Sequence, residues 1–304
     1  MAQLCMMLVI GSLGLSSQSS MPSSRVALVS GANKGIGNEI VRLLAKDPSP
    51  WIILLGSRNQ DRGNKAIDDV LKEINVGSDD TRIICCPLDL TDHASIQAAK
   101  DLVEKHGNGK LDVLINNAAI CFNDPTLYGK VPFTPFVQQA NITVQTNFFG
   151  TLHLTQTMIP LLLQSESPRI INIASAAGRL AILKSKELIQ TFTSAQLQLD
   201  ELESLLVQFV KDVEAGIHAS KGWPNTCYGM SKLGIIAMTK ILARDYPDMM
   251  INSVDPGYCA TDQNDHQGIL PASRGAITPV VLAKLDADKF VTGKHFFQKQ
   301  EIAW

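Results

Sequence analysis

Short runs of apolar, often β-branched residues recur along the chain from residue 25 onward and alternate with stretches of helical periodicity. The runs predict strands at 26–30, 51–56, 82–86, 111–115, 169–173 and 250–254, and the helical patterns cover 36–46, 61–75, 92–106, 136–163 and 228–246. Runs that are apolar along their whole length are typical of strands buried on both faces of a parallel sheet. The alternation with helices therefore predicts an α/β fold, a Rossmann-type doubly wound parallel sheet.

The segment 180–221 interrupts this alternation. It contains apolar residues spaced three and four apart, at Leu199, Leu202, Leu205, Leu206, Phe209, Val210 and Val213. This spacing predicts an amphipathic helix that must cover an apolar surface. We therefore expect a single domain over residues 25–304, with a helical insertion at 180–221.

The first 24 residues differ from the rest of the chain. The apolar run "LCMMLVIGSLGL" is too short to span a bilayer as a helix, and neither Lys nor Arg precedes it as in a secretory signal. The Ser-rich stretch "SSQSSMPSS" that follows resembles a linker. Two interpretations stay open for residues 1–24, a disordered extension and a targeting-like segment.

Composition and charge restrict the class of partner. The 304 residues carry 27 basic and 29 acidic side chains, a formal net charge of −2, which provides no broad attraction to nucleic acid or to anionic membranes. None of the six cysteines forms a CxxC pair of the kind found in zinc or redox sites. We expect reduced cysteines, a cytoplasmic location, no metal site and a small-molecule substrate.

A glycine-rich loop joins the first predicted strand to the first predicted helix. In "SGANKGIG", Gly31, Gly35 and Gly37 permit a tight turn and leave backbone N–H groups facing outward at a helix N-terminus. Such a loop binds the pyrophosphate of a dinucleotide, and Asn33 and Ile36 lie within it. The loop therefore predicts a dinucleotide cofactor.

The second predicted strand indicates which dinucleotide is bound. A site for NAD places a carboxylate near the end of this strand, but this chain has Arg58 there, with Arg62 one turn later and Lys34 in the glycine-rich loop. Cations around the adenosine ribose suit a 2′-phosphate better than a neutral hydroxyl. We therefore predict NADPH/NADP+ as the cofactor.

A candidate reaction centre lies in "CYGMSK", where Tyr228 and Lys232 are four residues apart. On a helix this spacing places both side chains on one face, where they can serve one site. The same spacing also occurs in ordinary solvated pairs, so the pair alone does not identify an enzyme.

Several further motifs decide between these interpretations. "SGANKGIG", "LDL", "NNAAI", "TNFFGT", "INIAS", the Tyr228–Lys232 pair and "DPGYCATD" occur in the order found in short-chain dehydrogenase/reductases. The chain resembles this family over nearly all of residues 25–304. The motifs "GWPNTCYGMSK" and "FVTGKHFFQKQEIAW" resemble most closely those of the monomeric NADPH-dependent carbonyl reductases.

The resemblance implies catalytic roles for four residues. Tyr228 would donate the proton to the carbonyl oxygen, and Lys232 would lower the tyrosine pKa and hold the nicotinamide ribose. Ser175 would hydrogen-bond the same carbonyl oxygen. Asn147 would hold a water molecule that passes protons toward Lys232, besides supporting a bend in its helix.

The resemblance also implies cofactor contacts. It assigns Asp89, with Leu90 beside it, to the adenine, and Asn116 to the adenosine side of the pocket. It assigns Pro256, Gly257 and Thr261 to the nicotinamide carboxamide. Backbone atoms rather than side chains could make some of these contacts.

The chain departs from the family pattern at several positions near the expected site. Ala119 stands where the family usually has Gly, which adds a methyl group where the backbone approaches the cofactor. Asp255 replaces an uncharged residue, Tyr258 replaces a tryptophan, and Ala176 and Ala177 leave space beside the expected catalytic serine. We expect these changes to alter substrate choice.

The resulting expectation is an NADPH-dependent carbonyl reductase acting on ketones, aldehydes or quinones. One alternative is a specialised terpenoid or alkaloid ketone reductase of the same architecture. Another is a non-catalytic NADPH-binding sensor or interaction protein, which would have no need of Tyr228.

The insertion directly precedes the helix through which family members usually dimerise. We therefore expect residues 180–221 to cover that face, to border the substrate cleft and to keep the protein monomeric. The competing hypothesis is that the apolar stripe is itself a dimer contact.

Overall fold

The computed structural model describes residues 24–74, 80–122 and 134–304. The predicted N-terminal extension lies outside these residues except for its last position. Among the described helices, none has the length and apolar character needed to cross a lipid bilayer.

A mostly parallel sheet forms the centre of the molecule. The strands are β1 Arg25–Val29, β2 Trp51–Ser57, β3 Arg82–Pro87, β4 Val113–Asn116, β5 Arg169–Ile173, β6 Met250–Asp255, β7 Cys259–Ala260, β8 Leu270–Pro271, β9 His295–Phe297 and β10 Gln300–Glu301. The order across the sheet is β10-β9-β6-β5-β4-β1-β2-β3, and only β10 runs antiparallel to its neighbour, while β7 and β8 pair separately. The six predicted strands are confirmed within two residues at either end.

Helices cover both faces of this sheet. They are α1 Gly35–Ala45, α2 Gln60–Glu73, α3 His93–Gly107, α4 Phe136–Val144, α5 Gly150–Leu162, α6 Lys186–Thr193, α7 Leu199–Glu214, α8 Cys227–Asp245 and α9 Ala272–Lys284. A π-helical segment, Gln145–Phe149, joins α4 to α5, so the helix predicted at 136–163 is continuous but wider in its middle. The sequence prediction omitted α6 and α9.

Two apolar layers hold the helices against the sheet. Along β1 successive side chains alternate between them: Val26 and Leu28 belong to one layer, whereas Ala27 and Val29 belong to the other. All four side chains are essentially buried. Burial on both faces explains the uninterrupted apolar runs in the sequence and confirms the doubly wound α/β architecture.

The order of the strands also fixes where a ligand can bind. The chain proceeds from β1 outward to β2 and β3, then returns to β4 on the other side of β1. The loops that follow β1 and β4 therefore diverge and leave a crevice at the carboxyl ends of these strands. The glycine-rich loop after β1 lies at this switch point.

The insertion contains the predicted amphipathic helix, α7. Leu202, Leu206 and Phe209 on its apolar stripe are fully buried, and α7 packs against α4 and α8. The stripe thus faces inward, onto the helix that carries Tyr228 and Lys232. The helix prediction is confirmed, and the apolar surface it covers is that of its own chain.

Buried polar contacts fix the insertion in place. Asp212 in α7 is 2% exposed, and its carboxylate accepts hydrogen bonds from Trp223 Nε1 and Gln208 Nε2, both at 2.8 Å. The ammonium of Lys221 lies 3.3 Å from the same carboxylate. Burial alone would raise the pKa of Asp212, but the hydrogen bonds and the Lys221 charge together lower it. The carboxylate therefore ties α7 to the chain that leads into α8.

Candidate active site

The glycine-rich loop forms an open cradle at the start of α1. Gly31 has φ +63° and Gly35 has φ +58°, in the left-handed region that favours glycine. A Cβ at Gly31 would lie 2.9 Å from Ala118, so a side chain there would collide with the loop after β4. Lys34 caps α1 in an extended conformation without a side-chain capping bond, which leaves the first-turn N–H groups available to an anion. This cradle fits the pyrophosphate of a dinucleotide.

Asn117, which the sequence interpretation did not select, holds the cradle in shape. Its Nδ2 donates to the carbonyl oxygens of Ser30 and Gly31, each at 3.0 Å, and its backbone N–H donates to Ser30 Oγ at 3.0 Å. A Cβ on Gly37 would lie 2.5 Å from Asn117 Nδ2. The only sequence signal was its position immediately after β4, at the switch point.

The three cations assigned to the 2′-phosphate are all exposed, but they do not share one environment. Arg58 and Arg62 lie at the end of β2 and the start of α2, where Asn59 accepts a hydrogen bond from the Arg62 backbone N–H at 2.8 Å. Lys34 instead donates to Asp262 Oδ2 at 2.7 Å. The structure thus keeps both arginines near the end of β2 and pairs the lysine with a residue from beyond β7.

The Tyr228–Lys232 pair lies near the N-terminus of α8. Thr226 caps this helix by accepting a hydrogen bond from the backbone N–H of Gly229 at 2.9 Å. The Lys232 ammonium lies 5.6 Å from the centre of the Tyr228 ring and donates to the carbonyl oxygen of Ile173, the last residue of β5, at 2.6 Å. The pair therefore shares one helix face, and that face lies at the carboxyl end of the central sheet.

Burial changes the ionisation of both side chains. Lys232 is 3% exposed, and desolvation lowers the pKa of its ammonium to about 8. The pKa of Tyr228 is raised, mainly by desolvation and further by Cys121 and Asp255, while hydrogen bonds with Gln263 and Ser175 oppose the rise. Desolvation outweighs these opposing contributions, and the expected effect of Lys232 on the Tyr228 pKa stays a prediction. Tyr228 is consequently protonated at neutral pH, the state that a proton donor requires.

Ser175 lies at the start of a short turn that packs on α8. Ser175 caps the 3₁₀ turn Ala176–Gly178, accepting a hydrogen bond from the Ala177 backbone N–H at 3.1 Å. A Cβ at Gly178 would lie 2.6 Å from the backbone carbon of Lys232, so the turn and the helix are in direct contact. The indole of Trp304 donates to the Gly178 carbonyl oxygen at 3.0 Å and holds this turn from outside.

Asn147 occupies the π-helical segment and is 1% exposed. Its Oδ1 accepts from the Ile120 backbone N–H at 2.8 Å, and its Nδ2 donates to the Ile120 carbonyl oxygen at 2.9 Å and to Ser231 Oγ at 3.1 Å. These bonds join the loop after β4 to α8. They are consistent with the expected structural role, whereas a water relay through Asn147 stays a prediction.

The residues assigned to the adenine half lie along the same edge. Asp89 Oδ1 accepts hydrogen bonds from the backbone N–H and the hydroxyl of Thr91, at 2.9 and 2.7 Å, and Leu90 is a buried core residue. The Asn116 side chain is buried and donates to Thr155 Oγ1 and Asn172 Oδ1. It therefore points into the protein, and the placement supports a cofactor contact only through its backbone.

The segment after β6 closes the other side of the crevice. Gly257 in the Pro256–Gly257 turn has φ +80°, and its N–H donates to Asp255 Oδ1 at 2.9 Å. Thr261 lies against the glycine-rich loop, since a Cβ on Gly35 would be 3.5 Å from its methyl carbon. Gln263, two residues beyond Thr261, is near enough to Tyr228 to oppose the rise of its pKa and was not predicted from the sequence.

A thiol also lies near the reaction centre. Cys121 lies in the chain after β4, close enough that its thiolate, once formed at alkaline pH, raises the pKa of both Tyr228 and Lys232. Burial raises the pKa of Cys121 to about 11, although the Lys232 charge acts in the opposite direction. The thiol therefore stays protonated and uncharged beside the pair.

In the described ranges, no group of three or more His, Cys, Asp or Glu side chains is arranged to hold a metal ion.

Comparison with known proteins places this site in a family. The sequence profile described as "short chain dehydrogenase" matches residues 25–186. The chain is 35% identical to (+)-neomenthol dehydrogenase of Capsicum annuum, over 91% of this chain and 97% of that protein. It is also 35% identical to carbonyl reductase [NADPH] 1 of Bos taurus, over 93% of this chain and 99% of that protein.

Among solved structures, salutaridine reductase from Papaver somniferum superposes with a TM-score of 0.79 at 26% identity, covering 90% of this chain and 99% of that one. The sequence profile, the full-length relatives and the fold agree, and the chain belongs to the short-chain dehydrogenase family.

Proposed function

We propose that this protein is an NADPH-dependent carbonyl reductase that converts ketones, aldehydes or quinones to alcohols or hydroquinones. The observation that carries the proposal is the packing of three elements at one place: the Lys232 ammonium lies 5.6 Å from the centre of the Tyr228 ring, and the turn that Ser175 caps packs directly on the same helix. Relatives named carbonyl reductase [NADPH] and neomenthol dehydrogenase support the same reaction class.

The chain supplies proton transfer and orientation, and the bound nicotinamide would supply the hydride. Tyr228 would donate its phenolic proton to the carbonyl oxygen, since its raised pKa keeps that proton in place until negative charge develops on the substrate. Ser175 would donate a second hydrogen bond to the same oxygen and fix its direction. The Lys232 ammonium would stabilise the phenolate that remains after proton transfer and would bind the ribose hydroxyls.

The cofactor assignment depends on the shape of the glycine-rich loop and on the cationic side chains near it. The cradle of Gly31, Gly35 and Gly37 would bind the pyrophosphate through the N–H groups at the start of α1. Arg58 and Arg62 are exposed at the end of β2 and the start of α2 and would bind the 2′-phosphate, together with Lys34, whose ion pair with Asp262 is exposed to water. The remaining contacts expected from the family pattern stay part of the proposal.

A specialised terpenoid or alkaloid ketone reductase is the second candidate. The identity to neomenthol dehydrogenase and the superposition on salutaridine reductase are compatible with it. Both candidates predict the same chemistry at Tyr228 and differ only in substrate. A protein that merely senses NADPH would have no need of Tyr228 and Lys232 side by side on one helix with Ser175 on the turn packed against it.

A substrate panel tests the proposal. The full chain should oxidise NADPH in the presence of quinones, α-dicarbonyls or simple aldehydes, measured at 340 nm, with the alcohol product identified by mass spectrometry. Rapid turnover of terpenoid or alkaloid ketones alone would select the specialised reductase. NADPH binding without turnover of any compound would contradict both enzyme candidates and favour the sensor.

We further propose a monomeric, cytoplasmic protein with one domain over residues 25–304. The apolar stripe of α7 is buried against α4 and α8, which supports the insertion as a cover for the face through which relatives dimerise. Light scattering at micromolar concentration should give the 33.0 kDa of one chain. Twice that mass would mean that another surface joins two copies.

A further inference from the structure

Residues 300–304, which we call the C-terminal arm, run from the edge of the central sheet to the turn that Ser175 caps. The arm begins in β10, which pairs with β9, and the backbone N–H of Ile302 donates to the His295 carbonyl oxygen at 2.8 Å. At its other end the indole of Trp304 donates to the Gly178 carbonyl oxygen at 3.0 Å. The arm thus connects a strand of the sheet to the turn beside α8.

Two contacts besides this hydrogen bond orient the Trp304 ring. The ring is partly buried and packs against the larger of the two apolar layers. The Lys240 ammonium, from α8, lies 5.6 Å from the ring centre. An indole has a single N–H and accepts no hydrogen bond, so its whole hydrogen-bonding capacity is used on Gly178.

The turn Ala176–Gly178 meets α8 through backbone contacts. A Cβ on Gly178 would lie 2.6 Å from the backbone carbon of Lys232, and a Cβ on Gly229 would lie 2.7 Å from the Ala177 carbonyl oxygen. The turn therefore approaches the helix more closely than any side chain would allow. Its contact with α8 involves the glycine Cα, whereas the glycine carbonyl accepts from Trp304.

The position of Ser175 depends on this turn. Ala174 still donates its backbone N–H to β6, at 2.7 Å, and beyond it the chain leaves the sheet. The Ser175 carbonyl oxygen accepts from the Gly178 N–H at 2.9 Å, and its Oγ accepts from the Ala177 N–H at 3.1 Å. Because the hydroxyl accepts within the turn, its own hydrogen stays available to a substrate carbonyl. A shift of Gly178 would therefore change the direction of that hydroxyl.

We propose that Trp304 is a positioning residue for carbonyl reduction, whose indole N–H fixes the turn and thereby the direction of the Ser175 hydroxyl. A small displacement of a group that binds the reacting oxygen lowers the rate, even when the displaced residue is held from outside the site. This inference rests on the proposed reduction, but one of its tests requires no substrate.

The kinetic test compares Trp304→Phe with the wild-type full chain, using NADPH and a carbonyl compound that the wild type reduces. Phenylalanine keeps an aromatic ring beside Lys240 but has no N–H, so the turn loses one hydrogen bond. We expect kcat to fall about 3- to 10-fold, while the Kd for NADPH changes less than about 2-fold. The Kd should hold because the glycine-rich loop lies at the start of α1, away from the arm.

A second background tests whether the effect passes through Ser175. In Ser175→Ala the hydroxyl is absent, so adding Trp304→Phe should lower kcat no further, as measured by single turnovers at high enzyme concentration. A merely structural contribution of Trp304 would lower kcat by the same factor in both backgrounds. That result would overturn the positioning role.

Trp51→Phe is the matched control. The Trp51 indole is 1% exposed at the start of β2, and its N–H finds no acceptor among the described residues. The same substitution there should leave kcat and the Kd for NADPH unchanged once the folded fraction is verified by circular dichroism. A fall in kcat equal to that of Trp304→Phe would mean a general effect of losing an indole and would contradict the proposal.

Hydrogen exchange followed by mass spectrometry tests the contact without substrate. In Trp304→Phe the amides of residues 174–183 should exchange about 3- to 10-fold faster than in the wild type, and those of β1 should not change. Unchanged exchange in the turn, or an unchanged kcat, would overturn the inference. If the wild-type protein reduces no carbonyl compound, the proposed function fails, while the exchange rates still decide whether Trp304 fixes the turn.

Discussion

The cationic groups at the two ends of the crevice behave differently. At the end proposed to bind the adenosine, Lys34, Arg58 and Arg62 are exposed, and the lysine forms a water-screened ion pair with Asp262. At the reaction end, Lys232 is almost fully buried and its pKa falls to about 8. Exposed cations can exchange partners at little cost, which suits recognition of a cofactor. A buried cation is held in one place at a cost in stability, which suits a fixed catalytic position.

The largest expected effect lies at the buried end. Tyr228→Phe keeps the packed ring and removes the proton donor, so kcat for carbonyl reduction should fall about 10²- to 10⁴-fold while the Kd for NADPH changes little. Steady-state kinetics and a fluorescence titration measure the two quantities. Tyr246→Phe, the same change at the far end of α8, serves as the control and should retain activity. Turnover close to that of the wild type in Tyr228→Phe would refute the proposed mechanism.

At the exposed end, Arg58→Asp should reverse cofactor preference. The substitution removes one charge-assisted hydrogen bond to the 2′-phosphate and adds a repelling carboxylate, so the ratio of kcat/KM for NADPH to that for NADH should fall about 10- to 100-fold. Lys65→Asp, which changes an exposed cation on α2 in the same way, provides the comparison. If both variants shift the ratio equally, Arg58 has no specific role in phosphate recognition.

Asp212 in the insertion provides a third test, of what a buried charged group contributes to stability. Asp212→Asn replaces the carboxylate that accepts hydrogen bonds from Trp223 and Gln208 with a neutral amide. The free energy of unfolding should fall by about 2–3 kcal/mol. Because the Asp212 pKa is lowered in the folded protein, its contribution is present above the unfolded pKa and is lost as pH falls through the folded value.

Chemical denaturation at pH 7 and at progressively acidic pH measures this difference. Glu214→Gln, at an exposed position in the same helix, should change stability by less than about 0.5 kcal/mol. An Asp212→Asn protein as stable as the wild type would mean that the insertion does not depend on this carboxylate.

The smallest expected effect is a gain in stability from Lys232→Met. Lowering the lysine pKa from 10.5 to about 8 corresponds to a folding cost on the order of 3 kcal/mol, which the methionine avoids. The variant also loses the hydrogen bond to the Ile173 carbonyl, which reduces the gain by about 2 kcal/mol. The variant should therefore be inactive but more stable by about 1 kcal/mol at pH 7.

The pH dependence of the stability gain distinguishes removal of the desolvated ammonium from better packing of the methionine. Between pH 8 and 10.5 the unfolded lysine stays protonated while the folded one does not, so the cost disappears as pH rises through that window. The gain in Tm should shrink accordingly, and Lys211→Met at an exposed position should show no such trend. A gain that is constant with pH would have to come from packing.

The sequence by itself determined the features that depend on local periodicity. Apolar runs identified the six core strands, and spacing of three and four identified α7 as a helix with one apolar face. The interval between Tyr228 and Lys232 placed both on one side of α8, because a helix repeats every 3.6 residues. The glycine-rich loop was recognisable because only glycine adopts its backbone angles without strain.

Only the tertiary structure decided which side chains meet across the crevice. Lys34 and Asp262 are 228 residues apart in the chain, and Asn147 and Ser231, which share a hydrogen bond, are 84 apart. The direction of the Asn116 side chain and the raised Tyr228 pKa also depend on how elements pack. Periodicity fixes the face on which a residue lies, but contact and desolvation are set by the neighbours that folding brings to that face, and these neighbours come from distant parts of the chain.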